Sequence, residues 1–235
     1  MYDHSLFLKT LSEFTGTLLM PYDLDTVLGD LADRLTKVLA LGGTGVTLAD
    51  QDRLQPVTAV PPSIAEVEGI QYEHQSGPCV DAFRTGRVVA IADLGQVSDR
   101  WPEYCSAAQR LGVCSVAGIP MRLQNQAIGA LAVYGEGARA RPWPEQDLAA
   151  AVVMADMATA FLINASTLHQ QEQLGAQLQR ALDSRVVIEQ AKGMIAHAQG
   201  VGVDEAFARL RRYARAHNDT IRAVAEAVVR SGVSV

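Results

Sequence analysis

The sequence predicts an α+β protein in which an antiparallel sheet with flanking helices is followed by a long helix and a bundle of three short helices. Two patterns indicate this fold class. Apolar residues recur every three or four positions near both ends of the chain, as in amphipathic helices, but they form short strand-like runs between residues 45 and 134. In addition, residues 145–199 contain no proline, as expected for one long helix.

Two helices and a hairpin are expected first. Residues 3–20 and 24–38 carry apolar side chains at helical spacing, and Pro21 separates the two segments. Segments 45–49 and 54–60 are short and apolar, and a polar tetrapeptide lies between them, which predicts a β-hairpin. Further along we expect helices over 64–71, 79–85 and 101–111, strands over 88–91, 113–122 and 127–134, and a turn at 123–126.

After Pro144 we expect a helix of about 50 residues, which at about 1.5 Å per residue would be roughly 75 Å long. A small domain cannot cover its whole apolar stripe, so a parallel coiled-coil homodimer is the simplest arrangement. The alternative is a helix that folds back on the preceding domain. The glutamine-rich segment 170–179 weakens the seam, and Gly175 is a candidate hinge. The stripe in the second half of this helix consists of Leu168, Leu174, Leu178, Ala181, Leu182 and Ile188.

Residues 184–235 carry a net charge opposite in sign to that of the rest of the chain. They contain eight basic and five acidic side chains, a net charge of +3, whereas the whole chain carries −6 and residues 1–183 therefore carry −9. A cationic segment on an acidic protein favours an acidic partner, of which nucleic acid is the commonest. Exposed arginines are also often simply solvated, and a three-helix segment can instead serve as a dimerisation module.

Three amphipathic helices are predicted in this segment, the last of them beginning at Asn218 or Asp219. In the first helix, Arg185 and Lys192 fall in one sector at the border of the apolar stripe. Gly193 lies inside this helix, and an interior glycine usually marks the close approach of another helix or of a ligand. The apolar stripe itself is formed by Ile188, Ala191 and Ile195.

The second helix is expected to begin after Gly202, which can serve as its N-cap, and to end near Asn218. Arg211, Arg212 and Arg215 fall together on one sector of it. Arg211 and Arg215 are like charges four residues apart, so an anion facing them would relieve their repulsion. The apolar stripe of this helix consists of Ala206, Leu210, Ala214 and His217.

These residues resemble an ANTAR domain. ANTAR domains are three-helix RNA-binding modules that act in transcription antitermination and recognise paired hairpins in leader transcripts. The resemblance is carried by Arg185, Ile188, Ala191-Lys192-Gly193, Asp204-Glu205-Ala206-Phe207, Leu210-Arg211-Arg212-Tyr213-Ala214 and Val224-Ala225-Val228. It implies that the residues near the RNA are Arg185, Lys192, Gly193, Arg211, Tyr213 and Arg215.

Arg212 joins this predicted RNA-binding set because the guanidinium group is a flat fork of donors that suits phosphates and guanine edges. Two interpretations of Tyr213 stay open, stacking on a splayed base and packing at the edge of the core. The competing hypothesis is a DNA-binding transcription factor with a helix-turn-helix-like tail. Such a factor reads bases at the start of its recognition helix, and here that start is the acidic Val203-Asp204-Glu205.

The region before the long helix resembles a GAF domain over about residues 20–160. GAF domains are sensory modules, some of which bind small ligands, so a small-molecule ligand of unknown identity is expected. The domains are predicted as a GAF-like sensor over 1–160, a coiled-coil linker helix over 161–183 and an ANTAR RNA-binding domain over 184–235. The resemblance is carried by Gly77-Pro78-Cys79-Val80-Asp81-Ala82, Thr85-Gly86-Arg87-Val88-Val89, Trp101-Pro102-Glu103, Gly112-Val113-Cys114-Ser115-Val116 and Ile128-Gly129-Ala130-Leu131.

We predict no catalytic site, cofactor or metal site, because neither a GxSxG elbow nor a phosphate-cradling loop occurs. The cysteines are Cys79, Cys105 and Cys114, an odd number without CxxC spacing, which favours reduced thiols in the cytoplasm. No signal peptide is recognised, and no uninterrupted apolar run of about eighteen residues predicts a membrane span. Two interpretations of Cys79 stay open, a reactive thiol at a helix start and an inert buried one.

Overall fold

The computed structural model describes residues 2–124, 126–137 and 140–235, without the side chain of Ala181. Asn125 of the predicted turn and the Ala181 side chain of the predicted stripe therefore lie outside the described residues. The fold class is α+β, as predicted. The chain divides into two compact units, Met1–Ser166 and Thr167–Val235.

The predicted elements of the first unit are confirmed, with ends that differ from the predicted ones by a few residues. The strands are β1 (Gly43–Asp50), β2 (Arg53–Val60), β3 (Val89–Ile91), β4 (Val113–Leu123) and β5 (Gln126–Glu136). The helices are α1 (His4–Thr17), α2 (Leu24–Val38), α3 (Ile64–His74), α4 (Pro78–Thr85), α5 (Pro102–Arg110) and the first part of α6 (Glu145–Gln199), with a 3-10 turn at Leu94–Val97.

Aspartate side chains set the starts of the first two helices. Asp3 Oδ1 accepts a hydrogen bond from the Leu6 amide at 2.9 Å, and Asp23 Oδ1 accepts one from the Thr26 amide at 2.9 Å. Each cap satisfies an amide that has no partner inside its own helix. The chain therefore enters α2 at the residue that the sequence predicts.

The sheet has the strand order β2-β1-β5-β4-β3, and every pair of neighbours is antiparallel. Side chains alternate between its faces along each strand. On β5, Leu131 and Val133 join the core under α1, α2 and α6, whereas Ala132 and Tyr134 join the core under α3, α4 and α5. The first unit therefore has three layers, with the sheet between two sets of helices.

Helix α6 spans 55 residues from Glu145 to Gln199 without a break, so the predicted long helix is confirmed. It contains a window with a mean hydropathy of 1.8, and by length and composition alone this stretch could cross a membrane. Ala151, Met154, Ala158 and Phe161 in its first part are fully buried in the core of the first unit. A helix buried in this way against its own domain is typical of the core of a globular protein.

The second unit is built from the last part of α6, α7 (Val203–Ala216) and α8 (Ile221–Ser231). Gly202 is the N-cap of α7, as expected, and Asn218 has the left-handed φ of 53° that the sequence predicts after this helix. The prediction for the start of α8 was wrong. Its N-cap is Thr220, whose Oγ1 accepts from the Ala223 amide at 3.1 Å, while Asp219 Oδ1 accepts from the Thr220 amide.

We expect Leu31→Ala to lower the free energy of unfolding of the first unit by about 2–5 kcal/mol, because Leu31 is fully buried between α2 and the sheet. Leu19→Ala is the matched control, since Leu19 is 85% exposed, and it should change stability by less than about 0.5 kcal/mol. Urea denaturation followed by tryptophan fluorescence measures this unit selectively, because both tryptophans lie in it. Equal effects of the two variants would contradict the described core.

Candidate nucleic-acid interface

The second unit has its own apolar core, which fixes the relative positions of its three helices. The core members are fully or almost fully buried, and they come from all three helices in turn. On α6 and α7 they occupy the predicted stripes. His217, which was predicted to belong to the stripe of α7, lies beyond the end of that helix and is exposed. The members are Ala191, Ile195, Ala206, Leu210, Ala214, Val224, Ala225 and Val228.

Two predicted RNA-binding cations from different helices meet at one aromatic ring. Lys192 of α6 places its Nζ 5.4 Å from the centroid of the Phe207 ring, and Arg211 of α7 places its guanidinium carbon 5.7 Å from the same centroid. Phe207 is half-buried at the edge of the core, so packing holds the ring in place. The cation–π attraction then draws both charges to this edge.

A carboxylate also contacts Lys192. Both oxygens of Glu189 lie 2.9 Å from Lys192 Nζ. The Lys192 side chain is 15% exposed and that of Glu189 is 55% exposed, so the ammonium group is partly shielded while the carboxylate faces water. An incoming phosphate would therefore compete with Glu189 for Lys192.

Further arginines extend the cationic surface on either side of this pair. Arg185 precedes Lys192 by seven residues, which places the two about 20° apart around α6. Arg215 follows Arg211 by four residues, about 40° around α7, whereas Arg212 lies about 100° from Arg211 and points further from the pair. All three are exposed, and within the described ranges none of them, nor Arg211, has an ion pair.

Gly193 is exposed, and a Cβ atom added to it would meet nothing within 4 Å. Within the described part of the chain, the close helix approach that an interior glycine suggests is therefore not found. Gly193 leaves open space on α6 immediately after Lys192.

The structure does not bring Tyr213 beside the arginines. Tyr213 lies about 200° from Arg211 around α7, on the other flank of the buried stripe. It is half-buried, and its ring stacks on that of His217 with centroids 3.9 Å apart and planes at 16°. These contacts favour the packing interpretation of Tyr213 and account for His217, which sequence analysis assigned to the core.

Arg209 is cationic but engaged within the unit. Its Nε donates to Glu205 Oε1 at 3.0 Å, and its Nη1 donates to Gln199 Oε1 at 2.6 Å. This side chain links α7 to the end of α6. Its guanidinium group therefore stabilises the unit and is not offered to a ligand. The face that remains for an anion, here named the basic face, consists of Arg185, Lys192, Arg211 and Arg215, with Arg212 and Gly193 at its margins.

In the first unit, the structure decides between the two interpretations of Cys79. The thiol is fully buried, and burial raises its pKa well above the usual range, with a further contribution from the nearby Glu68 carboxyl. Only a thiolate is strongly nucleophilic, so Cys79 is an inert packing residue. Trp101, at the start of α5, is likewise buried in the core, with 3% of its surface exposed.

Comparisons with known proteins agree with both halves of this description. A GAF domain model matches residues 23–162, and an ANTAR domain model matches residues 176–229. No curated protein matches the chain.

Solved structures similar to this chain resemble its first part. Free methionine-R-sulfoxide reductase from Neisseria meningitidis has 16% identity and a TM-score of 0.53, with coverage of 72% of this chain and 97% of its own. A domain of a putative two-component sensor histidine kinase from Sinorhizobium meliloti has 13% identity, a TM-score of 0.53 and coverage of 65% and 99%. The GAF domain from an Acinetobacter phosphoenolpyruvate-protein phosphotransferase has 12% identity, a TM-score of 0.51 and coverage of 71% and 97%.

At these identities, the structural similarities establish the fold of the first unit and nothing about its ligand. The GAF match covers more than half of the chain, and the ANTAR match covers the end of α6 together with α7 and most of α8. The three-layered sheet domain and the three-helix unit that follows it are the structures that these two matches require. The chain therefore belongs to the GAF domain family and carries an ANTAR domain after its GAF domain.

Proposed function

We propose that this protein is an RNA-binding transcription antitermination regulator, in which the GAF domain is the sensor and the ANTAR domain binds paired hairpins of a leader transcript. The observation that supports it best is the meeting of Lys192 and Arg211 on Phe207, with Arg185 and Arg215 beside them. We assign the sensor to residues 1–160, the linker helix to 161–183 and the RNA-binding domain to 184–235.

The chemistry of the basic face suits a folded RNA. Hairpin loops present clustered phosphates and unstacked bases, and Arg211 and Arg215 offer planar, always-charged donors on one side of a rigid helix. Lys192 adds a point charge, and the open space at Gly193 lets an RNA backbone come close to α6. We assign RNA contacts to these residues and to Arg185 and, at the margin, Arg212. Tyr213 is the member of the predicted set that we assign to packing.

A second copy of the chain is the partner proposed for the second half of α6. Leu174, Leu178, Leu182 and Val186 are each more than half exposed. They are spaced four residues apart, so they cover a sector of about 120° around the helix. An exposed apolar surface of this kind indicates an interface, and pairing with the same face of an identical helix would bury it. A parallel homodimer would then present two basic faces to two hairpins, which raises avidity through effective concentration.

A sensory and regulatory role sets the remaining expectations. GAF and ANTAR domains are regulatory, so we do not expect an enzyme, and we propose a cytoplasmic location because both domain types are typically soluble.

A helix-turn-helix-like DNA-binding function is the alternative. The exposed acidic residues Asp204 and Glu205 at the start of α7 would repel a DNA duplex there. Competition between hairpin RNA and duplex DNA of equal charge separates the two, and preference for the duplex would contradict the proposal.

The double variant Arg211→Ala with Arg215→Ala should weaken binding of a double-hairpin RNA by roughly a hundredfold, since each of the two lost charge-assisted hydrogen bonds is worth about 1.4 kcal/mol. The slope of log affinity against log salt should become shallower by about 1.5 for each basic face, because two phosphate contacts are lost from each face. Fluorescence anisotropy over a salt series measures both. The control is Arg222→Ala with Arg230→Ala, which removes the same charge from α8. Binding by the Arg211 and Arg215 variant as tight as that of the parent would contradict the assigned face.

Glu189→Gln should strengthen RNA binding by a factor of up to about five, because it removes the carboxylate that competes with phosphate for Lys192, an exposed pair worth about 0.2–1 kcal/mol. The matched control is Glu226→Gln, which removes the same charge from the Arg222 pair on α8. Anisotropy at low salt measures the difference between the two. Weaker binding by the Glu189 variant would show that Glu189 orients Lys192 rather than competing for it.

Leu178→Lys with Leu182→Lys should convert the protein from a dimer to a monomer, because each lysine would place a charge in the proposed seam. The molecular mass measured by sedimentation equilibrium should then fall from twice the mass of one chain to 25.2 kDa, the mass of a single chain. The control is His169→Lys with Gln173→Lys, which adds the same charge with the same spacing about 180° away around α6 and should stay dimeric. A monomeric parent protein would contradict the dimer.

A further inference from the structure

Glu68 is a fully buried glutamate in the middle of α3, on the side of the sheet that faces α4 and α5. Its Oε1 accepts a hydrogen bond from the Tyr134 hydroxyl of β5 at 2.6 Å, and its Oε2 accepts one from Gln71 Nε2 at 3.2 Å. Gln71 Oε1 in turn accepts from the amide of Cys79 at the start of α4 at 2.9 Å. These hydrogen bonds join two helices and a central strand through one carboxyl group.

The backbone leaves room for this cluster at two glycines. A Cβ added to Gly45 of β1 would lie 2.1 Å from Glu68 Oε1, and one added to Gly77 would lie 2.4 Å from Gln71 Oε1. Gly77 also has a φ of +149°, a conformation that other residues rarely adopt. The carboxyl group and its partner Gln71 therefore fit only because glycine occupies these two neighbouring positions.

Neutral groups surround the Glu68 carboxyl. Tyr134, Gln71, Cys79 and Tyr104 approach it from β5, α3, α4 and α5, and the Tyr104 hydroxyl is buried beside that of Tyr134. In the described part of the chain, charged groups on the surrounding elements pair with each other or lie at the surface. The paired groups are Glu66 with Arg110 and Asp81 with Arg100, and those at the surface are Arg53 over Tyr72 and the exposed Asp50, Glu73, His74, Arg84, Glu103, Arg122 and Glu136.

A buried carboxylate without a cation is costly, because neutral donors replace only part of its hydration. Desolvation raises the pKa of Glu68 from 4.5 to about 7, although the hydrogen bonds from Tyr134 and Gln71 oppose this effect. The protonated form needs an acceptor, and the Tyr134 hydroxyl oxygen can supply one at the same distance. Both protonation states are therefore accessible near neutral pH.

We propose that the Glu68 cluster is a proton switch in the GAF domain: protonated Glu68 holds α3 against the sheet, and its ionisation loosens this contact. The strand that carries Tyr134 ends at Glu136, and the next helix along the chain is α6, which begins at Glu145. A change at the cluster therefore acts on the strand that precedes the output helix. The switch itself does not require RNA binding, and only its regulatory output rests on the proposed function.

The direction of the pH effect follows from linkage. The pKa of Glu68 is higher in the folded state than in the unfolded state, so between about pH 4.5 and about pH 7 the folded protein binds more protons. The contribution of Glu68 to stability is complete below the unfolded pKa and is lost as pH rises through the folded value. Over this interval the folding equilibrium constant should fall on the order of a hundredfold relative to a variant that cannot ionise.

Glu68→Gln in the full chain is that variant, because glutamine keeps the size and both hydrogen bonds of the protonated carboxyl. Urea denaturation followed by tryptophan fluorescence should show the parent losing about a hundredfold in folding constant relative to Glu68→Gln from about pH 5 to about pH 8. Other titrating groups cancel in this comparison. The control Glu66→Gln, at an exposed position of the same helix, should keep the slope of the parent. Parallel profiles for the parent and Glu68→Gln would overturn the proposal.

A direct titration keeps the test valid if Glu68→Gln does not fold. Carbon-13 NMR of the glutamate side-chain carboxyl groups in the parent should show one that titrates near pH 7. If every glutamate titrates near its ordinary value, the switch is absent.

The regulatory output is tested by RNA binding. From about pH 5 to about pH 8, the RNA affinity of the parent should change more than that of Glu68→Gln. A parent that does not bind RNA at any pH would refute the proposed function alone, whereas binding with identical pH profiles would refute the regulatory output.

Discussion

The packing of three helices around Leu210 is the constraint on which the candidate interface depends. Leu210 and its buried neighbours fix α7 against the end of α6, and this contact holds Phe207 at the edge where Lys192 and Arg211 meet. Like charges on separate helices repel each other, so the two helices would move apart if nothing held them together. Here the apolar core supplies that force, and the result is a preorganised cationic surface whose repulsion an anion would relieve.

The long helix α6 takes part in both domains. The first part of α6 is a core element of the GAF domain, and its last part belongs to the core of the ANTAR domain. Between them, the exposed leucines leave a surface without a partner inside the described chain. One helix therefore belongs to the cores of both domains, and a change in the GAF domain can affect it only through the elements packed on its first part.

Much of the fold could be predicted from the sequence because periodicity and breakers are local signals. Pro21, Asp23 and the long proline-free stretch each have a direct structural counterpart. The incorrect predictions have both local and tertiary causes. Helical spacing placed His217 in the core, but the helix ends before it, and Glu68 gave no signal because a glutamate in a helix is usually exposed. The separation of Tyr213 from the arginines could have been read from a helical wheel, whereas the Glu189 contact required coordinates.

The most direct test of the account is to map where RNA touches the protein. Ultraviolet cross-linking of the full chain to a double-hairpin leader RNA, followed by mass spectrometry of the linked peptides, locates the contacts without any substitution. We expect cross-links within residues 185–193 and 207–215, on the face that Lys192 and Arg211 share. Cross-links confined to the GAF domain, or to the face of α8 that carries Arg222 and Arg230, would contradict it.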